Sequence, residues 1–116
     1  PGAMRAAAHE DINLITILPA ASEAGLQVIG ANGEWIAVPG DFGALIVNVG
    51  DMLQEATGGF YRSTTHRVVN PTGDAATRSR ISMPLFLHPR REVVLSERHT
   101  ADSYLQERLR ELRART

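Results

Sequence analysis

Apolar positions along this chain come in short runs set off by turn residues, and only near the C-terminus do they recur at helical spacing. "NLITIL" (residues 13–18) is β-branched and apolar, and Pro19 with the "AASEAG" segment ends it. "LQVI" and "EWIAV" flank "GANG", where Asn32-Gly33 is a hairpin signal. After the turn from Pro39 to Gly43, "ALIVNV" is a nearly continuous apolar strand. Asp51 then caps a short helical turn, "MLQEAT", with Gln54 three residues on and Gly58 to stop it. "FYRS", "HRVV" and "RISMPLFL" read as further strands, and "NPTGDAAT" as a loop by its Asn-Pro and Gly-Asp content. Thr100 or Asp102 caps a closing helix, about residues 101–114, whose Tyr104, Leu105, Leu109 and Leu112 form an apolar stripe.

Many short strands and one proper helix at the end predict a mainly β fold, a sandwich or jelly-roll barrel. No repeat or linker divides the 116 residues, so a single domain is expected, large enough to bury roughly two-thirds of its unfolded surface. With 43% hydrophobic and 22% charged residues the chain is globular rather than disordered. No apolar run approaches the roughly 20 residues of a membrane span. No membrane partner is expected, and the expected compartment is the cytoplasm.

Charge and cysteine count narrow the chemistry. The formal charge of −1 hides an asymmetry: residues 1–60 carry one Arg against seven acids, residues 61–116 eleven Arg against six. Several late arginines lie in "YLQERLRELRART", interleaved with Glu107 and Glu111, which reads as a solvated helix face. With only six aromatics in the chain, the stacking platform of a single-strand binder is missing, and no nucleic-acid partner is expected. Cysteine is absent, so a bound metal must be held by His and carboxylates.

The candidate ligands are His9 and Asp11, one residue apart just before "NLITIL", and His66 at the start of "HRVV". His9-x-Asp11 alone could be a turn-capping Asp beside a satisfied histidine. Two His and one carboxylate together make the facial triad of non-haem Fe(II) oxygenases, which leaves three coordination positions open. Downstream, Arg80 and Ser82 are separated by one residue, so on an extended strand both side chains point to one side as an anion clamp.

"AAAHEDINLITIL", "GLQVIGANGEWIAVP", "LIVNVGDMLQEATGGFYRSTTHRVV" and "RISMPLFLHP" resemble, in order, the C-terminal part of the isopenicillin N synthase-like family of Fe(II)- and 2-oxoglutarate-dependent dioxygenases. The resemblance covers residues 5–89, and the C-terminal helix fits it. It implies a double-stranded β-helix (jelly roll, cupin-like) with a C-terminal α-helix, residues 1–116 forming the C-terminal part of the domain and lacking its N-terminal elements. It makes His9, Asp11 and His66 the iron ligands, and Arg80 with Ser82 the clamp on the distal carboxylate of 2-oxoglutarate. The implied activity is oxidation of a small organic substrate by O2 (hydroxylation, desaturation or ring closure), with release of succinate and CO2. Isopenicillin N synthase itself uses the clamp positions to hold its substrate's carboxylate, so the pair marks an anion rather than one particular anion. The thirteen residues between His66 and Arg80 imply a longer loop than many plant members have. Without the N-terminal half, exposed strand edges are expected to favour self-association. The competing reading is a non-catalytic jelly-roll module that binds metal or small molecules, or a structural fragment of a larger oxygenase.

Other residues have blander readings. His88 and His99 are expected to be surface or loop histidines, and Trp35 a half-buried hairpin aromatic that could line a pocket. Gly50 and Asp51 shape the turn before the short helix. Asn13 and Gln27 are further pocket candidates.

Overall fold

A computed structural model describes residues 4–22, 24–41 and 43–116. The strands are β1 (Met4–His9), β2 (Ile15–Pro19), β3 (Leu26–Ile29), β4 (Trp35–Ala37), β5 (Leu45–Val49), β6 (His66–Val69) and β7 (Leu85–Leu87), and the helices α1 (Asp51–Ala56) and α2 (Ala101–Ala114). Glu23 of "AASEAG" and Phe42 of the turn before β5 lie outside the described residues.

The strands form two antiparallel sheets, ordered β1-β6-β3-β4 and β5-β2-β7. Only β3 and β4 are consecutive neighbours. Every other step along the chain crosses from one sheet to the other, which winds the strands into the double-stranded β-helix. Because side chains alternate along a strand, one set from each sheet turns inward. Ala6, Leu26, Val28 and Val68 from the first sheet face Leu18, Ile46 and Phe86 from the second across one cavity. On the other side of the second sheet, Leu45, Val47 and Leu85 are at least 60% exposed.

The expected hairpin is present, and its loop is longer than a two-residue turn. Gly30 donates its N–H to Glu34 C=O at 2.7 Å, and Gly33 sits at φ +83°, a conformation that favours glycine. At α2, Thr100 rather than Asp102 is the cap: its side chain accepts the Ser103 N–H, and the Ser103 hydroxyl accepts the Thr100 N–H in return. Met52, Leu95, Ala101 and Tyr104 form the buried core cluster, with Ile12, Leu14 and Leu105 packed against it. The loop between β1 and β2 is therefore clasped against both helices.

Residues 4–9, whose alanine-rich sequence has little strand preference, form β1 because β6 pairs with them. Three expectations need correction. "FYRS" is not a strand: Gly58 and Gly59 take positive φ, and Gln54 Oε1 accepts the Ser63 N–H at 2.7 Å, so the segment wraps back onto α1. In "RISMPLFL" only Leu85–Leu87 pairs, since Pro84 has no N–H to give a ladder. Asp51 is the first residue of α1 rather than its cap, which is Gly50. The "NPTGDAAT" loop holds a 3-10 turn, Gly73–Thr77.

Candidate metal centre

The antiparallel register of β1 and β6 makes His9 and His66 direct partners, which puts both imidazoles on the same side, ring centroids 4.4 Å apart. Asp11 follows β1 in the tight loop to β2. That loop is fixed by backbone donors at the start of α1, groups that have no partner within the helix. Asp51 N–H donates to Asp11 C=O at 2.8 Å, Met52 N–H is shared by the Ile12 and Asn13 carbonyls, and Gly50 N–H donates to Leu14 C=O at 2.9 Å. The approach is so close that a Cβ at position 50 would stand 2.0 Å from Asn13 O.

The result is a convergence of lone pairs. Asp11 Oδ1 is 3.7 Å from His9 Nε2 and 3.5 Å from His66 Nε2, and one ligand atom from each residue lies within 4.8 Å of the others. Each imidazole is held from its far side: His9 Nδ1–H donates to Ala7 C=O at 2.7 Å and His66 Nδ1–H to Thr64 C=O at 2.9 Å. A neutral ring so held presents its Nε2 lone pair inward. Asp11 is oriented in the same way, its Oδ2 accepting from Thr16 Oγ1 at 2.6 Å and from Asn48 Nδ2 at 3.0 Å, which leaves Oδ1 toward the histidines. Two imidazole nitrogens and a carboxylate oxygen, each fixed by a second partner and facing one point, fit a divalent first-row metal. The carboxylate is 8% exposed, so a cation among these groups would also offset the cost of burying its charge.

The same cavity, about 260 Å³, is lined by His9, Asp11 and His66 and also by Arg80 and Ser82. Residues 80–84 carry no ladder, yet Ile81 is tied on both sides of its peptide, its N–H to Ser22 Oγ at 3.0 Å and its C=O to Ser22 N–H at 3.3 Å. Ile81 points outward at 65% exposure, while its two neighbours, half-buried Arg80 and exposed Ser82, both line the cavity. Burial, and after it the nearby Arg5 guanidinium, lowers the Arg80 pKa from its usual value.

Thr16 and Asn48 were not among the candidates. They are register partners across β2 and β5, and their signal was a polar residue facing inward in each of two otherwise apolar strands. Asn13 is 2% exposed and lies behind the cavity, where Nδ2 donates to Thr16 Oγ1 at 3.1 Å and steadies that hydroxyl. Gln27 and Trp35 do not line the cavity: Arg67 Nε donates to Gln27 Oε1, and the guanidinium stacks 3.9 Å over the Trp35 ring. His88 is exposed. His99 is in a loop but not at the surface, its side chain 9% exposed against Tyr104 and 3.4 Å from Glu107.

The family model of the 2OG-Fe(II) oxygenase superfamily matches residues 1–89. A probable iron/ascorbate oxidoreductase of Dictyostelium discoideum is 49% identical over 82 residues, 70% of this chain and 21% of that protein. In a crystal structure of a Shewanella oneidensis protein assigned as an oxygenase, 97% of this chain superposes on 42% of that one, with TM-score 0.89 and 68% identity. A full-length Neurospora crassa protein, crystallised in complex with alpha-KG and thymine, superposes with TM-score 0.80 and 29% identity, over 97% of this chain and 38% of that one. The chain spans about a fifth to a quarter of the length of the curated relatives it matches.

Proposed function

We propose that this chain, which belongs to the 2OG-Fe(II) oxygenase superfamily, supplies the iron and cosubstrate site of a non-haem dioxygenase that oxidises a small organic substrate with O2 and releases succinate and CO2. In this reading His9, Asp11 and His66 hold Fe(II), and Arg80 with Ser82 holds the distal carboxylate of 2-oxoglutarate. The observation that carries it is that triad and clamp line a single cavity. No helix among the described residues is long and apolar enough to cross a membrane; the proposed compartment is the cytoplasm, where Fe(II) stays reduced.

When bound, Fe(II) with 2-oxoglutarate and O2 supplies the oxidising chemistry, in which the cosubstrate loses CO2 and a substrate C–H bond is attacked. The chain's own work is positional. His9 Nε2, His66 Nε2 and Asp11 Oδ1 would hold the metal with three protein ligands, few enough to admit exchangeable ones, the requirement of an open catalytic site. Arg80 offers a planar fork to a carboxylate and Ser82 a hydroxyl donor. Leu18, Leu26, Val28, Ile46 and Val68 line the same cavity with apolar surface, which strengthens both sets of polar contacts and limits water.

The test is succinate formation by the intact protein in the presence of Fe(II), 2-oxoglutarate and O2. Turnover, coupled to a substrate or uncoupled, supports the reading; its absence in a protein that binds both metal and cosubstrate favours the non-catalytic binding module.

A further inference from the structure

We infer that Arg5 is a positioning residue for the cosubstrate clamp, acting on Arg80 by holding the β6–β7 loop; the inference rests on the proposed role of Arg80. The loop must deliver Arg80 to the cavity without a strand ladder to guide it, and its only regular element among the described residues is the short 3-10 turn. Arg5, on β1, reaches across to it with one guanidinium. Nε donates to Asn70 Oδ1 at 2.9 Å at the loop's start, and Nη2 donates to Ala75 C=O at 3.3 Å within the turn and to Arg78 C=O at 2.7 Å just beyond it. Arg78 is extended, with φ −87° and ψ 144°, so Arg80 follows two residues past the last of these anchors. Ile81 is tied to Ser22 on the other side. The Arg80 backbone is thus bracketed by one anchor from β1 and one from the segment after β2.

Two further observations agree. Arg5, Arg78, Ser79 and Arg80 line a common surface hollow with Ala6 and Val68, so the anchoring guanidinium stands next to the clamp it steadies. Arg5 and Arg80 also repel, which a carboxylate bound at Arg80 would relieve. Strand β1 therefore serves both halves of the site: it ends in His9 at the triad and carries the loop anchor near its other end. Three acceptors separated along the loop require a planar fork; an ammonium on a flexible stem does not reproduce it.

The experiment uses the intact protein with Mn(II) as an oxygen-inert probe of the triad and 2-oxoglutarate as the probe of the clamp, both followed by calorimetry. Arg5→Lys is expected to keep the parental Mn(II) affinity, to weaken 2-oxoglutarate about tenfold, and to speed hydrogen exchange at the amides of residues 75–80. Methylguanidinium added to Arg5→Ala should restore part of the cosubstrate affinity. Asn70→Ala, which removes one contact from the loop side, should show the same split more weakly. Parental cosubstrate affinity in Arg5→Lys, or a matching loss of Mn(II) affinity, overturns the inference. So does an Arg5→Lys protein that fails to fold beside an Asn70→Ala protein with parental cosubstrate affinity. A parent that binds Mn(II) but no 2-oxoglutarate overturns the proposed function, and exchange at residues 75–80 then still decides whether Arg5 holds the loop.

Discussion

Thr16 donates its hydroxyl to Asp11 Oδ2 across 2.6 Å, on the side of the carboxylate turned away from the two imidazoles. The bond selects Oδ1 as the oxygen facing His9 and His66. Thr16→Val keeps the shape and removes the donor, leaving a buried carboxylate oxygen with Asn48 alone. Metal affinity is expected to fall 10- to 100-fold, the usual loss for an outer-shell partner, and stability by about 1–3 kcal/mol. Mn(II) calorimetry and urea unfolding measure the two effects separately.

Gly50 is required for steric room rather than for backbone freedom, because its φ of −97° suits any residue. A Cβ there meets Asn13 O at 2.0 Å, and the backbone on both sides is held by hydrogen bonds. Gly50→Ala should cost about 3 kcal/mol or more and displace the 11–14 loop. A urea midpoint within error of the parent would show that the α1 junction yields more easily than this contact implies.

Arg80→Lys should raise the 2-oxoglutarate concentration needed for half-maximal succinate formation by about tenfold or more, since a point charge replaces a bidentate fork. Mn(II) affinity should not change. An unaltered cosubstrate titration would reassign Arg80 to the substrate's own anionic group.

As a separate chain, these residues should self-associate. Strands β5 and β7 are the edges of their sheet among the described residues, and Leu45, Val47 and Leu85 present an apolar face beside those edges. Sedimentation should show concentration-dependent oligomers that Val47→Lys with Leu85→Lys disperses. A monomer at all concentrations would mean that this face is harmless in water.

Local sequence carried much of this architecture. The β3–β4 hairpin, β5 and α2 were legible because turn chemistry and side-chain period are local. Strand β1 was not, since "RAAA" has little strand preference and becomes β only by pairing with β6 about sixty residues later. "FYRS" has the composition of a strand, but two glycines and the Gln54 side chain decide its path instead. At the site, residues with distinctive chemistry (His9, Asp11, His66, Arg80 and Ser82) could be named in advance, and they line one cavity. Their supports could not. Thr16, Asn48 and Arg5 are ordinary in composition, and their roles depend on register between distant strands or on the path of an irregular loop.

If triad and clamp form one site, cosubstrate binding depends on the metal. Anaerobic calorimetry of 2-oxoglutarate into the intact protein, with and without Mn(II), in the parent and in Asp11→Ala, decides this. Tight binding is expected in the metal-loaded parent alone, with weak binding at Arg80 and Ser82 in the metal-free parent and in Asp11→Ala. Equal affinity in all of these samples would show that the two halves do not act as one site.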